Sequence, residues 1–292
     1  MKFPFHNSVL RFPALQLVVI AAISYISGGL SYHYFRRTEQ HIAQRAMHAK
    51  SNNSANSLAE STDMHRWWGG GDKSLIINKQ SILHTQLKNN KTVCFIGDSI
   101  TAGSENGGYP WYGPLVDAYP HIQVNSMAAG GGTSKSMLQL SQTKLMPSDL
   151  YIIALGTNDI RYRDAQKAAI TVTDYIENLN MLVSKARELS STAQFIFIAP
   201  WCSIPEDPVP PISQSEKEKL MKIYSDALQQ FCRSKNHLYL NPNPILNFLI
   251  KHPQLRAHYM KDHIHPTFPH GCYLYSAAVM EAASASPCWT GS

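Results

Sequence analysis

The sequence predicts an α/β domain in which helices cover both faces of a parallel β-sheet. Five short apolar runs contain no charged residue, as expected of parallel strands that are buried on both faces. These runs are residues 93–96, 122–125, 150–155, 194–199 and 238–240. Longer segments with helical periodicity separate them, and strands that alternate with helices form a parallel sheet through right-handed crossovers. A three-layer α/β/α arrangement follows.

Two of the segments between these runs carry strong helical signals. In residues 172–186, apolar side chains recur at helical spacing, as on the buried face of an amphipathic helix. Residues 213–231 show the same spacing, and Ser213 with Glu216 has the form of a capping box at the start of the helix. Each segment can therefore cover one face of the sheet.

The composition indicates a folded chain and excludes some partners. The chain has 292 residues, of which 44% are hydrophobic and 16% charged, enough for a sizeable core. Its net charge of +6 and pI near 9.0 permit an anionic partner, but the basic residues are dispersed, which argues against nucleic acid. None of the five cysteines shows paired metal-ligand spacing. A disulfide between Cys272 and Cys288 stays open, because it depends on the compartment.

The N-terminal region contains a long stretch without charge. Residues 12–35 include no Asp, Glu, Lys or Arg, and residues 15–30 are strongly apolar. Since about 20 apolar residues span a bilayer, we expect a transmembrane helix at about residues 13–35, within an anchor of residues 1–37. A cleaved signal peptide and a buried core helix are the alternatives, but no clear cleavage site is present.

The flanks of this stretch bear on the orientation of the domain. Two basic residues precede it and four follow it by residue 50, so a literal positive-inside count places the C-terminal part in the cytoplasm. Long domains, however, translocate largely regardless of flanking charge. We expect a single-pass protein of the inner (cytoplasmic) membrane with an extracytoplasmic, periplasmic domain. Residues 38–88 are predicted to be a polar linker and residues 89–292 the domain itself.

A serine follows the first predicted strand directly. The strand ends at Gly97, and Asp98 and Ser99 come next, which is the pattern of a buried strand that stops at a tight turn. Such a turn holds Ser99 at the carboxyl edge of the sheet, where ligands bind in open α/β folds. The alternative is that Asp98 and Ser99 only cap the next helix.

Two further motifs follow the second and third strands. Residues 129–134 contain Gly130 and two more glycines, which let the backbone approach a ligand with its N–H groups turned inward. Residues 155–159 contain Asn158, whose amide can donate to a developing oxyanion. A plain loop and a helix cap are the alternative interpretations of these two motifs.

A carboxylate and an imidazole lie three residues apart near the C-terminus, at Asp262 and His265. A serine hydroxyl becomes a good nucleophile when a base takes its proton, and the base needs a third group to fix its tautomer. Asp262 and His265 can fill both roles. A surface pair is one alternative and a metal pair of His263 with His265 is another, although no neighbouring cluster completes a zinc site.

Taken together, the four motifs resemble the ordered blocks of the SGNH hydrolases, also called the GDSL esterase and lipase family, over roughly residues 90–285. The resemblance implies a flavodoxin-like fold with a five-stranded sheet. It also implies hydrolysis of esters or thioesters, often acetyl groups on carbohydrate, without metal or other cofactor. By the same resemblance, Ser99 is the nucleophile, His265 the general base and Asp262 its orienting partner.

The resemblance also supplies an oxyanion hole. The donors are the backbone N–H groups of Ser99 and Gly130 and the side-chain amide of Asn158. The sequence has Ile100 where the family name has leucine. Trp111 and Tyr112 lie close to Ser99 in sequence and are predicted either to contact substrate or to pack the first helix onto the sheet.

The function expected from these features is a membrane-tethered esterase that removes acetyl or similar short acyl groups from a cell-surface carbohydrate. An O-acyltransferase, in which a sugar hydroxyl replaces water, would use the same residues. A third possible enzyme activity is that of a lysophospholipase or thioesterase acting on lipid esters. The alternative that involves no catalysis is a catalytically silent polysaccharide-binding module.

Overall fold

A parallel sheet of five strands forms the centre of the fold in the computed structural model, which describes residues 77–164, 167–203, 207–209, 211–250 and 253–284. The strands are β1 (Thr92–Gly97), β2 (Gln123–Ala128), β3 (Leu150–Ala154), β4 (Tyr162–Asp164), β5 (Lys167–Ala168), β6 (Gln194–Ile198) and β7 (Leu238–Leu240). The sheet has the order β2-β1-β3-β6-β7, while β4 and β5 form a separate antiparallel ribbon. This order is the flavodoxin-like one, and it confirms the predicted sheet.

The register of β1 brings three loops to one edge of the sheet. Gly97, the last residue of β1, pairs with Ala128 of β2 and with Ala154 of β3, which are the last residues of those strands. The three strands therefore end level with one another. The residues that follow them, which include Ser99, Gly130 and Asn158, all start from this edge.

The structure describes ten α-helices, of which the first precedes β1 and the others connect the strands or follow them. They are α1 (Ile82–Asn89), α2 (Ser99–Ala102), α3 (Gly113–Ala118), α4 (Ser134–Lys144), α5 (Thr157–Ile160), α6 (Val172–Leu189), α7 (Gln214–Lys235), α8 (Asn243–Ile250), α9 (Pro253–Tyr259) and α10 (His270–Ala282). Both predicted helices are confirmed as α6 and α7. The hydroxyl of Ser213 accepts from the Glu216 N–H, and the Glu216 side chain accepts from the Ser213 N–H, so the capping box is complete.

Helices lie on both faces of the sheet. On one face, Cys94 and Ile96 of β1 belong to a buried cluster with apolar side chains of α4, α6 and α7. On the other face, Phe95 stacks on Tyr112, and α3 lies against α10. Successive residues of a strand point to opposite faces, so β1 is buried on both sides, as its charge-free run predicts.

Two predictions about these elements need correction. Strand β2 is the sheet edge and most of its residues are exposed or half-buried, so it is not covered on both faces. The linker was predicted to extend to residue 88, but α1 is part of the domain, since Leu83 and Leu87 are buried. The Asn78 amide also donates to the Ser284 hydroxyl at 2.8 Å, so the domain begins well before residue 89.

The predicted membrane anchor, residues 1–37, and most of the linker lie outside the described residues. Among the helices that the structure does describe, none has the length and apolar character needed to cross a membrane.

Candidate active site

Ser99 is the first residue of α2 and stands directly after the turn that ends β1. Asp98 caps this helix, because its Oδ1 accepts the Ile100 N–H at 3.0 Å. A Cβ on Gly97 would lie 2.1 Å from Thr101 Oγ1 and 2.9 Å from the Ala154 carbonyl oxygen, so only glycine fits at this close approach. The capping role that the sequence left open thus belongs to Asp98, and the Ser99 hydroxyl is left for other contacts.

The Ser99 side chain meets an imidazole and a carboxylate that are far away in the sequence. Ser99 Oγ lies 2.8 Å from Nε2 of His265, and Nδ1 of His265 lies 2.7 Å from Oδ2 of Asp262. Ser99 is only 8% exposed, whereas the Asp262 side chain is 40% exposed. The three predicted residues therefore form one continuous hydrogen-bonded chain, with the imidazole between hydroxyl and carboxylate.

Hydrogen bonds from its own loop keep the side chain of Asp262 in the ionised carboxylate form. Partial burial acts to raise its pKa, but the backbone N–H groups of His265 and Ile264 and the His265 ring donate to it and outweigh burial. The net pKa of Asp262 is therefore below its ordinary value. The backbone donors lie 2.8 and 2.9 Å from Oδ1, which leaves Oδ2 to the imidazole. A carboxylate in this state fixes the orientation of His265 and stabilises a positive charge on it.

The loop that carries Asp262 and His265 is closed on itself and tied to the serine turn. Met260 and Pro266 form an antiparallel bridge across its base. The Asn106 amide donates to the Pro266 carbonyl oxygen at 3.1 Å. The Lys261 ammonium donates to the Glu105 carbonyl oxygen. Because Glu105 and Asn106 lie in the 3-10 turn shortly after α2, these contacts position His265 relative to Ser99.

Asn158 and the glycine loop face one another beside the serine turn. Asn158 Nδ2 donates to the Gly132 carbonyl oxygen at 3.1 Å, which uses one of its two hydrogens and leaves the other. The Gly132 N–H donates to the Ala129 carbonyl oxygen at 3.0 Å and is therefore engaged. Gly130 is exposed, and a Cβ there would lie 3.8 Å from the hydroxyl of Ser104. Of the three glycines, Gly132 is thereby excluded as a donor to a ligand.

A buried carboxylate that the sequence did not single out joins these two loops. Asp159 accepts the Ser134 N–H at 3.0 and 3.1 Å and the Ser134 hydroxyl at 2.5 Å. Burial raises the pKa of Asp159 to about 6, against the lowering effect of the Ser134 hydrogen bonds. Asp159 follows Asn158, and Ser134 follows the glycine loop, so this contact fixes the distance between the two loops. The only signal in the sequence is that Ser134 and Asp159 are the last residues of the motifs at 129–134 and 155–159.

Trp111 and Tyr112 are placed in the core. They are 0% and 6% exposed, Trp111 Nε1 donates to Thr101 Oγ1 at 3.2 Å, and Tyr112 stacks on Phe95 at 3.7 Å. The interpretation that they contact substrate is corrected, because neither ring offers a face to a bound molecule. Both residues instead pack against the sheet, which was the other interpretation of the sequence.

The two histidines of the C-terminal motif differ in their surroundings. His263 is exposed, whereas both ring nitrogens of His265 are engaged, one by Ser99 and the other by Asp262. Within the residues that the structure describes, no group of three His, Cys, Asp or Glu side chains could hold a metal ion.

Comparison with protein families agrees with this geometry. The model of the GDSL-like lipase/acylhydrolase family matches residues 95–268, more than half of the 292-residue chain. The chain belongs to this family. The resemblance found in the sequence is thereby confirmed, and the matched region contains Ser99, Asp262 and His265. The GDSL-like assignment makes the protein a hydrolase. A search of curated proteins found no significant match.

Several solved structures share this fold. A candidate GDSL-like lipase from Parabacteroides merdae is 19% identical with a TM-score of 0.56, over 68% of this chain and 98% of that one. An acetylxylan esterase from Geobacillus stearothermophilus is 21% identical with a TM-score of 0.52, over 66% and 94%. An alpha/beta hydrolase enzyme from the metagenome of Lake Arreo in Spain is 18% identical with a TM-score of 0.52, over 66% and 94%. At these identities the likeness is one of fold.

Proposed function

We propose that this GDSL-like hydrolase is a serine esterase that removes short acyl groups, acetyl above all, from a carbohydrate. The observation that carries the proposal is the hydrogen-bonded chain from Ser99 Oγ through His265 to Asp262, at 2.8 and 2.7 Å. A hydroxyl, an imidazole and a carboxylate in this order form the arrangement that activates a serine for acyl transfer. The fold similarity to an acetylxylan esterase supports acetyl groups on a polysaccharide as the substrate class.

The first step forms an acyl-enzyme. Ser99 Oγ attacks the ester carbonyl carbon while His265 Nε2 takes the hydroxyl proton, and Asp262 stabilises the resulting imidazolium. The carbonyl oxygen becomes an oxyanion. As the carbon–oxygen bond to the sugar breaks, His265 returns the proton to the leaving alcohol. In the second step, water gives its proton to His265 and attacks the acyl group, and Ser99 leaves with that proton as the free acid departs.

Three donors stabilise the oxyanion in this proposal. They are the backbone N–H groups of Ser99 and Gly130 and the second amide hydrogen of Asn158. The level ends of β1, β2 and β3 support this set, because each donor follows one of those strands. The bond from Asn158 Nδ2 to the Gly132 carbonyl oxygen orients the amide before substrate arrives, and preorganised donors are the ones that lower the barrier most.

The proposal includes a membrane tether. The charge-free residues 12–35 support it, since a stretch of that length can cross a bilayer. A tether to the inner membrane with the domain outside the cytoplasm would hold the esterase near surface carbohydrate. The expected result is that the full-length protein stays in the membrane pellet after an alkaline carbonate wash. Release into the supernatant would contradict an uncleaved anchor.

The experiment that tests the proposed activity is hydrolysis of p-nitrophenyl esters of increasing acyl length by the full-length protein. We expect acetate to be the best substrate and Ser99→Ala to abolish turnover, while the matched control Ser184→Ala, on the exposed side of α6, keeps it. A preference for long acyl chains would contradict the carbohydrate assignment in favour of a lipid esterase. A folded wild type that hydrolyses none of the esters would contradict hydrolysis and favour acyl transfer to a sugar hydroxyl.

A further inference from the structure

A groove of about 440 Å³ lies at the carboxyl edge of the sheet, between α7 and α8. Its walls are the segment after β6, which includes Ser203, the length of α7 from Gln214 to Gln229, and Tyr239 and Asn241 at the end of β7. Asn243 and Asn247 of α8 also line it. Neither the four motifs nor the proposed mechanism uses any of these residues.

The residues that line the groove are rich in neutral hydrogen-bonding groups. Five lining residues carry a side-chain amide and three carry a hydroxyl. The lining side chains that are neither charged nor of these two kinds are one cysteine and one methionine. The amides are on Gln214, Gln229, Asn241, Asn243 and Asn247. A site for an acyl chain would be lined mainly by apolar side chains. Amides and hydroxyls act both as donors and as acceptors, as the hydroxyls of a sugar require.

The charges in the groove compensate one another. Two lysines and two acidic residues line it, so its formal charge is zero. The Lys222 ammonium pairs with Asp226 at 2.5 Å, and the buried Lys217 ammonium donates to the Asp207 carbonyl oxygen. Glu218 accepts from the Gln214 amide at 3.0 Å. Because the lysines and acidic residues balance, the groove carries no net charge to attract a phosphate or carboxylate, and its amides and hydroxyls favour a neutral ligand.

Several amide groups in the groove lack partners. Gln214 Oε1 is buried and accepts no hydrogen bond, a state that costs free energy until a donor arrives. The side-chain amides of Gln229 on α7 and Asn247 on α8 make no hydrogen bond to any residue that the structure describes. A ligand hydroxyl could donate to Gln214 Oε1 and accept from the other two amides.

The groove lies at the same edge of the sheet as the candidate active site. It lies at the ends of β6 and β7, the second and third strands from β1 in the sheet, so about 10–15 Å separate it from the Ser99 turn. The Trp201 N–H donates to Thr157 Oγ1 at 2.9 Å, which joins the segment before Ser203 to the turn that carries Asn158. An oligosaccharide can span this distance, whereas a single acylated sugar cannot.

We propose that this groove binds a neutral saccharide chain and holds the part of a polymeric substrate that is remote from the ester. The proposal deepens the proposed carbohydrate esterase and rests on it for the link to catalysis. Binding itself depends only on the groove. The groove therefore selects for carbohydrate chains over isolated acetylated sugars.

The test is calorimetric titration of the full-length protein with three unacetylated probes, xylohexaose, cellohexaose and maltohexaose. The double variant Gln229→Ala/Asn247→Ala removes two wall amides without touching Ser99 or its partners. The matched control is Gln230→Ala/Asn180→Ala, which removes the same two side-chain types from exposed positions outside the groove. Since each lost hydrogen bond costs about 1 kcal/mol, we expect the dissociation constant of the probe that binds best to rise about tenfold or more in the groove variant alone.

Two outcomes would overturn the proposal: none of the hexasaccharides binds the wild type, or the groove variant and the control bind equally well. Hydrolysis of p-nitrophenyl acetate by the wild type is measured in parallel, because that small ester does not reach the groove. Hydrolysis without saccharide binding would overturn the groove and leave the esterase. Binding that the groove variant loses, without hydrolysis, would support the groove and overturn the esterase.

Discussion

At the scale of single residues, Asp98 and Ser99 have different roles in the turn: Asp98 caps α2, and Ser99 contacts His265. Asp98 is completely buried, and only one of its carboxylate oxygens finds a donor, since Oδ2 has no hydrogen-bond partner. Burial raises the pKa of Asp98 to about 7, assisted by the nearby charge of Asp159 and opposed by backbone N–H groups. The folded protein therefore holds this proton over a pH range in which the unfolded chain has already lost it.

Asp98→Asn tests this description of the turn. As pH rises from the ordinary aspartate pKa toward about 7, the unfolded state releases the proton first, so the stability of the wild type falls and then levels off. Asparagine keeps an acceptor for the Ile100 N–H but does not titrate. We expect the loss of melting temperature between about pH 4.5 and pH 8 to be smaller in the variant, by about 5 °C. Equal losses in both proteins, measured by thermal unfolding, would show that Asp98 does not titrate in this range.

Asn158→Ala tests the oxyanion hole. Removal of one donor to a developing oxyanion lowers turnover by about 10²–10³-fold, and we expect a loss of that size in kcat for p-nitrophenyl acetate with little change in KM. Asn125→Ala is the control, because it also removes an asparagine that donates to a backbone carbonyl, but on the edge strand. If Asn158→Ala and Asn125→Ala had the same kcat, Asn158 would have no part in stabilising the oxyanion.

At the scale of elements, the position of His265 depends on the contact between its loop and the turn that follows α2. The Asn106 amide joins the two by its bond to the Pro266 carbonyl oxygen. We expect Asn106→Ala to lower kcat about tenfold and to leave KM for p-nitrophenyl acetate unchanged, because a small displacement of the base slows proton transfer more than binding. Asn90→Ala, which removes an amide bond to the Gln86 carbonyl oxygen at the end of α1, is the control. A rise in KM at constant kcat would instead assign Asn106 to substrate binding.

The elements that sequence could predict are those whose signal is local. The charge-free runs locate the central strands, and Ser213 with Glu216 predicts the first turn of α7, because a capping box lies within four residues. The sequence does not predict the ribbon of β4 and β5, since strands of three and two residues are too short for a periodic pattern. Nor does it predict helix α1, because only Leu83 and Leu87 of its eight residues are buried and the apolar signal is weak.

At the scale of the whole molecule, the sheet brings four motifs that are far apart in the sequence to one edge. The sequence predicts that Ser99, Gly130 and Asn158 lie at one edge of the sheet, because each follows a strand and parallel strands end at the same edge. The contacts that hold the site together were not predictable. The hydrogen bond between Asp159 and Ser134 joins residues 25 positions apart in the sequence, and that between Asn106 and Pro266 joins residues 160 positions apart. No local sequence pattern predicts contacts over such separations. Nor could local sequence decide whether Trp111 faces substrate or core, because an aromatic residue near a motif fits both.

The measurement that tests the central claim most directly is covalent labelling with a serine-reactive fluorophosphonate, located by mass spectrometry. We predict one adduct per chain, on the peptide that contains Ser99. Ser99→Ala should abolish it, and His265→Ala should slow its formation by about 10³-fold or more, because the hydroxyl then lacks its base. An adduct on another residue, or none in a protein that hydrolyses p-nitrophenyl acetate, would contradict Ser99 as the nucleophile.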